Sequence, residues 1–281
     1  MKNAIKYYYQ IEVDDIEYKD NKYYFDKYLL IEHTKDIDIN LYEYLVERNV
    51  LSYEIIWNKD ENYITSIEKK SYILLKRNRN ISISFSMLEQ FMIPTDKKDI
   101  VPWHRLWMNK VDYYEKHMKT LTSKKLKEGF SYYIGLTENA IAFYQMIKKE
   151  SNLFISHARL SNDEDFLNPL NFAIDYRVRD VAEYSKYLFF ENKLNLNDLY
   201  LFFQKNYFNE HELLLFYARM LYPSYYFDCY DRISKGIEDC NLNNIRIKVN
   251  EYECFLRELY LYIKKYTNIP KIDWLIERKE I

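Results

Sequence analysis

The sequence predicts an α+β protein of two lobes, a small strand-rich N-terminal lobe followed by a larger, mainly helical C-terminal lobe. Three observations carry that reading. Short alternating apolar runs fill residues 1–80, and one amphipathic helix interrupts them. Long stripes at helical spacing fill residues 81–281. A hydrophobic content of 48% beside 30% charged residues, over 281 residues, suits a folded chain with a sizeable buried core.

The elements follow in order. Residues 7–18 and 22–33 are rich in Tyr and Ile and flank Asp20-Asn21, a hairpin signal, so both runs read as strands. Leu41, Tyr44, Leu45 and Arg48 mark one helix near 38–49, with Asp38 as a candidate cap. Three short strands follow at 52–57, 62–68 and 71–77, separated by turns at 58–61 and at Lys69-Lys70. The basic run 76–80 reads as a solvated connector between the lobes. Beyond it, Trp103, Trp107, Val111, Tyr114, Met118 and Leu121 recur at helical spacing and predict a buried stripe. Further helices are expected at 131–148, 181–191, 196–207, 210–222 and 249–266.

Composition excludes several classes of function. A net charge of −2 gives no general attraction to nucleic acid or to an anionic membrane. The N-terminus reaches acidic residues too early for a signal peptide, and the apolar run 213–222 is interrupted by Arg219 and too short to span a bilayer. Neither nucleic-acid binding nor membrane insertion is expected, and the cytoplasm is the default location. Cys229, Cys240 and Cys254 form no CxxC motif, and an odd count reads as free thiols. Glycine occurs only at positions 129, 135 and 236. A P-loop, a dinucleotide fingerprint or a glycine-rich lid needs glycines where backbone approaches phosphate, so residues 1–128 contain none of these in their usual form.

Chemistry concentrates in residues 153–190. A short apolar run ends at His157, a polar loop follows, and a second apolar run, 172–174, ends at Asp175. Arg179-Asp180 then opens a helix, with Asp180 and Glu183 spaced like a capping box. This is the layout of a kinase catalytic loop, a β-hairpin and a metal-binding carboxylate. Taken singly, His157 reads as a structural histidine, Asp175 as a turn residue pairing with Arg177 or Arg179, and Asp180–Glu183 as a helix cap. The ordered combination raises them above that background.

Four stretches carry a resemblance: WHRLWMNKVDYYEKHM at 103–118, SYYIGLTENAI at 131–141, NFAIDYRVRDVAEYSKYLF at 171–189 and ARMLYPSYYFD at 218–228. Together they resemble the spore-coat kinase-like proteins of the CotS/YutH type, within the aminoglycoside-phosphotransferase branch of the kinase-like superfamily. The resemblance implies a two-lobed protein-kinase-like fold. It also implies a catalytic loop of the form HGDxxxxN, in which the Asp handles the substrate hydroxyl, the Asn helps hold a metal and a later Asp binds metal directly. Carried over by position, His157 matches the loop His, Ala158 the Gly, Arg159 the catalytic Asp and Glu164 the Asn. Asp175 matches the metal-binding Asp and Asp180 the later structural Asp.

Arg159 is the decisive departure. A guanidinium stays protonated and has no acceptor, so it cannot act as a base. Losing a positioned acid or base costs about 10²–10⁴-fold in rate. In the strand 27–32, Ile31 occupies the place of the phosphate-pairing Lys, with Lys27 and Lys35 out of register. The remaining route to catalysis is a loop register in which Asp163 or Asp165 approaches the vacant carboxylate position.

The leading expectation is therefore a degenerate site formed by His157, Arg159, Glu164, Asp175 and Asp180, with no catalytic residue active. His157, Arg159 and Asp175 are expected to gather in the cleft between the lobes, on the large-lobe side, with Arg159 paired to a carboxylate such as Asp175 or Glu164. The protein would act through a protein partner, in the spore coat if the resemblance extends to location. No cofactor is expected; Asp175 would hold metal only if Mg-nucleotide binding were retained. Two alternatives stand beside it: an active phosphotransferase on a small molecule or protein, and a regulator that holds ATP without turning it over.

Overall fold

The computed structural model describes residues 1–19, 21–33, 37–47, 53–78, 82–96, 99–120, 124–149, 152–160, 165–166, 168–236 and 241–277. The chain forms two compact units, one of residues 1–83 with 162–172, the other of residues 84–161 with 173–281.

The first unit opens with a helix, α1 (Lys2–Tyr9), where a strand is expected from residue 7. Ile5 and Tyr9 lie one turn apart, and both are buried against Phe25, Leu30, Tyr72 and Leu74. Burial of that stripe decides the conformation against the strand preference of the tyrosines at 7–9. Strands β1 (Glu17–Lys19), β2 (Lys22–Phe25), β3 (Tyr28–Glu32), β4 (Tyr53–Ile56), β5 (Thr65–Ile67) and β6 (Lys70–Arg77) follow. They form an antiparallel sheet of order β1-β2-β3-β6-β4, with β5 also on β6. Lys19 faces Lys22 across a tight turn in which Asn21 takes φ 61°. Asn tolerates that left-handed backbone, so the turn forms without glycine. Glu68 and Lys69 likewise take φ 49° and 67° in the β5–β6 turn.

Period-2 alternation sorts the sheet faces. Leu30, Leu74 and Ile56 share the face that packs on α1, and Leu29, Leu75 and Ile55 share the other. Helix α2 (Ile39–Glu47) sits where the sequence places it, and Asp38 accepts a hydrogen bond from the Leu41 amide at 3.1 Å. Its buried residues are Tyr42 and Leu45, while Tyr44 is exposed.

The second unit contains α3 (Phe85–Gln90), α4 (Trp103–Thr120), α5 (Phe130–Met146), strands β7 (Leu153–His157) and β8 (Phe172–Tyr176), α6 (Val178–Phe190), α7 (Leu196–Lys205), α8 (Glu210–Leu221), α9 (Ser224–Ser234), α10 (Leu242–Ile247) and α11 (Val249–Ile263). Every residue of α8 from Glu212 to Leu221 is buried, and it packs against α5, α6 and α11. A helix apolar on all sides belongs at a core, which explains the long apolar run there. Trp103 and Trp107 are 0% and 2% exposed, as their stripe predicts. No helix among the described residues is long and apolar enough to cross a membrane. Cys229 is buried, and Cys254 is a free thiol.

Candidate functional site

Strands β7 and β8 pair as a two-stranded sheet and bring the ends of the two apolar runs together. His157 closes β7 and is fully buried. Its backbone amide donates to Asp180 Oδ1 at 2.9 Å, and its Nδ1 meets Asp180 Oδ2 at 2.6 Å. A carboxylate only accepts, so Nδ1 carries the proton in that contact. Asp180 thus fastens the end of β7 to the first turn of α6, and Phe91 packs on the imidazole with ring centres 5.3 Å apart.

The capping-box reading of Asp180 and Glu183 is corrected here. Neither side chain caps α6: its N-cap is Arg177, which makes no side-chain cap bond. Both carboxylates are drawn to tertiary partners instead. The capping box that does form joins Asn209 and Glu212 at the start of α8.

Asp175 is 3% exposed, and both of its oxygens are committed. Trp103 Nε1 donates to Oδ1 at 2.9 Å and to Oδ2 at 3.1 Å. The Tyr176 amide adds a bond to Oδ1 at 2.8 Å, and Arg179 Nη1, from the first turn of α6, pairs with Oδ2. The other arm of Arg179, Nη2, donates to the Ala158 carbonyl at 2.8 Å. One guanidinium therefore ties the Asp175 end of β8 to the residue that follows His157. A metal ion needs carboxylate oxygens with open lone pairs. Asp175, held by a guanidinium and an indole N–H, does not fit that role as arranged.

Among the described residues, Arg159 pairs with Asp228 rather than with Asp175: Nη2 lies 3.5 Å from Oδ1, and the Arg159 side chain is 53% exposed. Glu164 and Asp163 lie outside the described residues. Burial raises the Asp228 carboxyl above its usual range, and the nearby charges of Arg159 and Lys110 offset part of that rise. Ile31, at the expected lysine position of β3, pairs with Ile73 and Lys22 across the sheet, and the adjacent Glu32 is held by Lys70 at 2.8 Å.

A second polar cluster, not legible in the sequence, lies one turn further along α6. Glu183 Oε1 accepts from Lys186 Nζ at 2.7 Å and from Arg219 Nε at 2.6 Å, and Oε2 accepts from Ser224 Oγ at 2.6 Å. Burial alone would raise the Glu183 carboxyl. The charges of Lys186 and Arg219, with the hydrogen bonds from Lys186 and Ser224, hold it well below the usual carboxylate range. Burial brings Lys186 down to about 8 against the opposing pull of Glu183. The Arg219 guanidinium lies over Trp103 at 5.3 Å and Tyr222 at 5.4 Å, which links this cluster to the indole that holds Asp175. Among the described residues, no group of three or more His, Cys, Asp or Glu side chains is placed to hold a metal ion.

The comparisons agree with this architecture. The pattern of the family described as "Spore coat putative kinase YutH" matches residues 2–259. The endospore coat-associated protein YutH of Bacillus subtilis (strain 168) is 24% identical over 265 residues, which covers 78% of each chain. Among solved structures, an aminoglycoside phosphotransferase from Alicyclobacillus acidocaldarius superposes with a TM-score of 0.57 at 11% identity, covering 94% of this chain and 96% of the other. The spectinomycin phosphotransferase APH(9)-Ia, solved with ADP and spectinomycin, gives 0.56 at 11% identity, covering 98% and 95%. These likenesses establish the aminoglycoside-phosphotransferase type of kinase-like fold.

Proposed function

We propose that this chain, which belongs to the YutH family of spore coat kinase-like proteins, lacks efficient phosphotransfer and works by binding a protein partner in the spore coat. The observation that carries the reading is the closure of Asp175 by Arg179 and Trp103. In a phosphotransferase of this fold the matching carboxylate would face a metal-bound nucleotide. Here its charge is already neutralised by a neighbour on its own chain. Arg159 supplies a cation where the reaction calls for a proton acceptor, and no lysine replaces Ile31 on β3.

A second reading, a regulator that holds nucleotide without turnover, has one observation in its favour: a solved relative of this fold holds ADP. Thermal shift separates the two. A ligand that binds only the native state must raise Tm. The scaffold reading expects ATP with Mg²⁺ to leave Tm unmoved, and a saturable rise would favour the regulator. Transfer of radiolabelled phosphate to the chain, to generic substrates or to water would instead sink both.

A further inference from the structure

Helices α4 and α5 lie side by side and leave a groove of about 380 Å³ on the surface of the second unit. Each helix lines it with a stripe at i, i+3, i+4 and i+7 spacing, positions 108, 111, 112 and 115 on α4 and 138, 141, 142 and 145 on α5. The floor is apolar, made by Met108, Val111, Ile141 and Ala142. Met108 is 48% exposed, although the opposite face of α4 is buried core. The rim is acidic: Asp112, Glu115 and Glu138 are all exposed, and none of them forms an ion pair among the described residues.

We infer that this groove receives an amphipathic helix of the protein partner, one that carries lysines or arginines along both edges of its apolar stripe. The inference rests on the binding role proposed above and names the surface and the partner's chemistry. Parallel helical stripes bordering an apolar floor accept the apolar face of a third helix, whose anchors recur at the same spacing. An exposed methionine adapts to varied side chains. The charge of the rim selects the occupant. Three carboxylates without cationic partners favour a basic helix and repel an acidic one. The net charge of the chain is only −2, so the preference is a property of this groove and not of the surface at large.

The test uses the full-length chain and a synthetic helical peptide of about 18 residues, built from leucine and lysine with leucines at i, i+3, i+4 and i+7. Its controls are a scrambled peptide of the same composition and a peptide with glutamate in place of lysine. Titration calorimetry is expected to show binding of the basic amphipathic peptide alone, weakened by salt. Reversing the rim with Asp112→Lys, Glu115→Lys and Glu138→Lys should weaken it roughly tenfold or more and admit the acidic peptide. Ala142→Trp, at an exposed position, should fill the floor and weaken the basic peptide without admitting the acidic one. Three results would each overturn the inference: no binding by the wild type, equal binding of the scrambled peptide, or unchanged affinity in the charge-reversed variant. A phosphotransfer assay on the same preparation separates the failures. A silent site with an empty groove removes this inference alone, whereas turnover removes the non-catalytic reading and leaves the peptide result standing.

Discussion

Arg179, in the first turn of α6, pairs with Asp175 near the end of β8, and its other arm reaches the Ala158 carbonyl. The Asp175 carboxylate is thereby built into the framework that joins β7, β8 and α6.

If the pair is structural, its loss should be felt in stability. Removing one member of a buried ion pair strands the other charge, at a cost of about 3–5 kcal/mol. Arg179→Met should therefore destabilise the chain by an amount in that range. Combining it with Asp175→Asn should recover part of the loss, because no buried charge is then left alone. A double-mutant cycle in urea measures the coupling. Strictly additive losses would show that the two side chains do not depend on each other.

Trp107 should be among the costliest positions to truncate. It is 2% exposed and stacks on Tyr222 with ring centres 4.7 Å apart. Trp107→Ala should cost about 3–5 kcal/mol, read from the denaturant midpoint at constant slope. A change near zero would mean that the α4 stripe is not part of the core.

Glu183 gives the acid limb of the stability curve a specific origin. Its folded pKa lies below the ordinary value of 4.5, because Lys186 and Arg219 outweigh the opposing effect of burial. A depressed carboxyl contributes stability that is fully present above the unfolded value and is lost as pH falls from there towards the folded one. Unfolding free energy should therefore drop as pH decreases below 4.5. Glu183→Gln should be less stable at neutral pH, since it weakens the hold on Lys186 and Arg219, and its acid limb should be flatter. An acid limb of unchanged slope in the variant would assign the effect to other carboxylates.

Much of the fold could be read from periodicity, but the site could be read only in part. The β7–β8 layout and the Asp175–Arg179 spacing are local, so both are visible in the chain. The bond from Trp103 to Asp175 spans 72 residues, and nothing in the α4 stripe separates a tryptophan that donates from one that only fills space. The partner of Arg159, Asp228, sits on α9, to which the sequence reading assigns no helix. Tyr226, Phe227 and Tyr230 repeat there over little more than one turn, too short a stripe to tell helix from loop. Helix α1 was obscured by the strand preference of its tyrosines. The spacing of Asp180 and Glu183 imitates a cap, yet each carboxylate has a tertiary partner: His157 for Asp180, and Arg219 with Ser224 for Glu183.

The most direct measurement is ATP turnover by three proteins prepared alike: wild type, Arg159→Asp and Asp175→Ala. With Asp175 closed by Arg179 and Trp103, and Ile31 in place of a phosphate-pairing lysine, the wild type should show no activity above background. Restoring a carboxylate through Arg159→Asp should not rescue turnover, because the closed carboxylate and the missing lysine remain. Asp175→Ala should be equally silent. Robust turnover by the wild type that disappears in Asp175→Ala would contradict the account, because it would show that Asp175 is released from its neighbours to hold a metal-bound nucleotide.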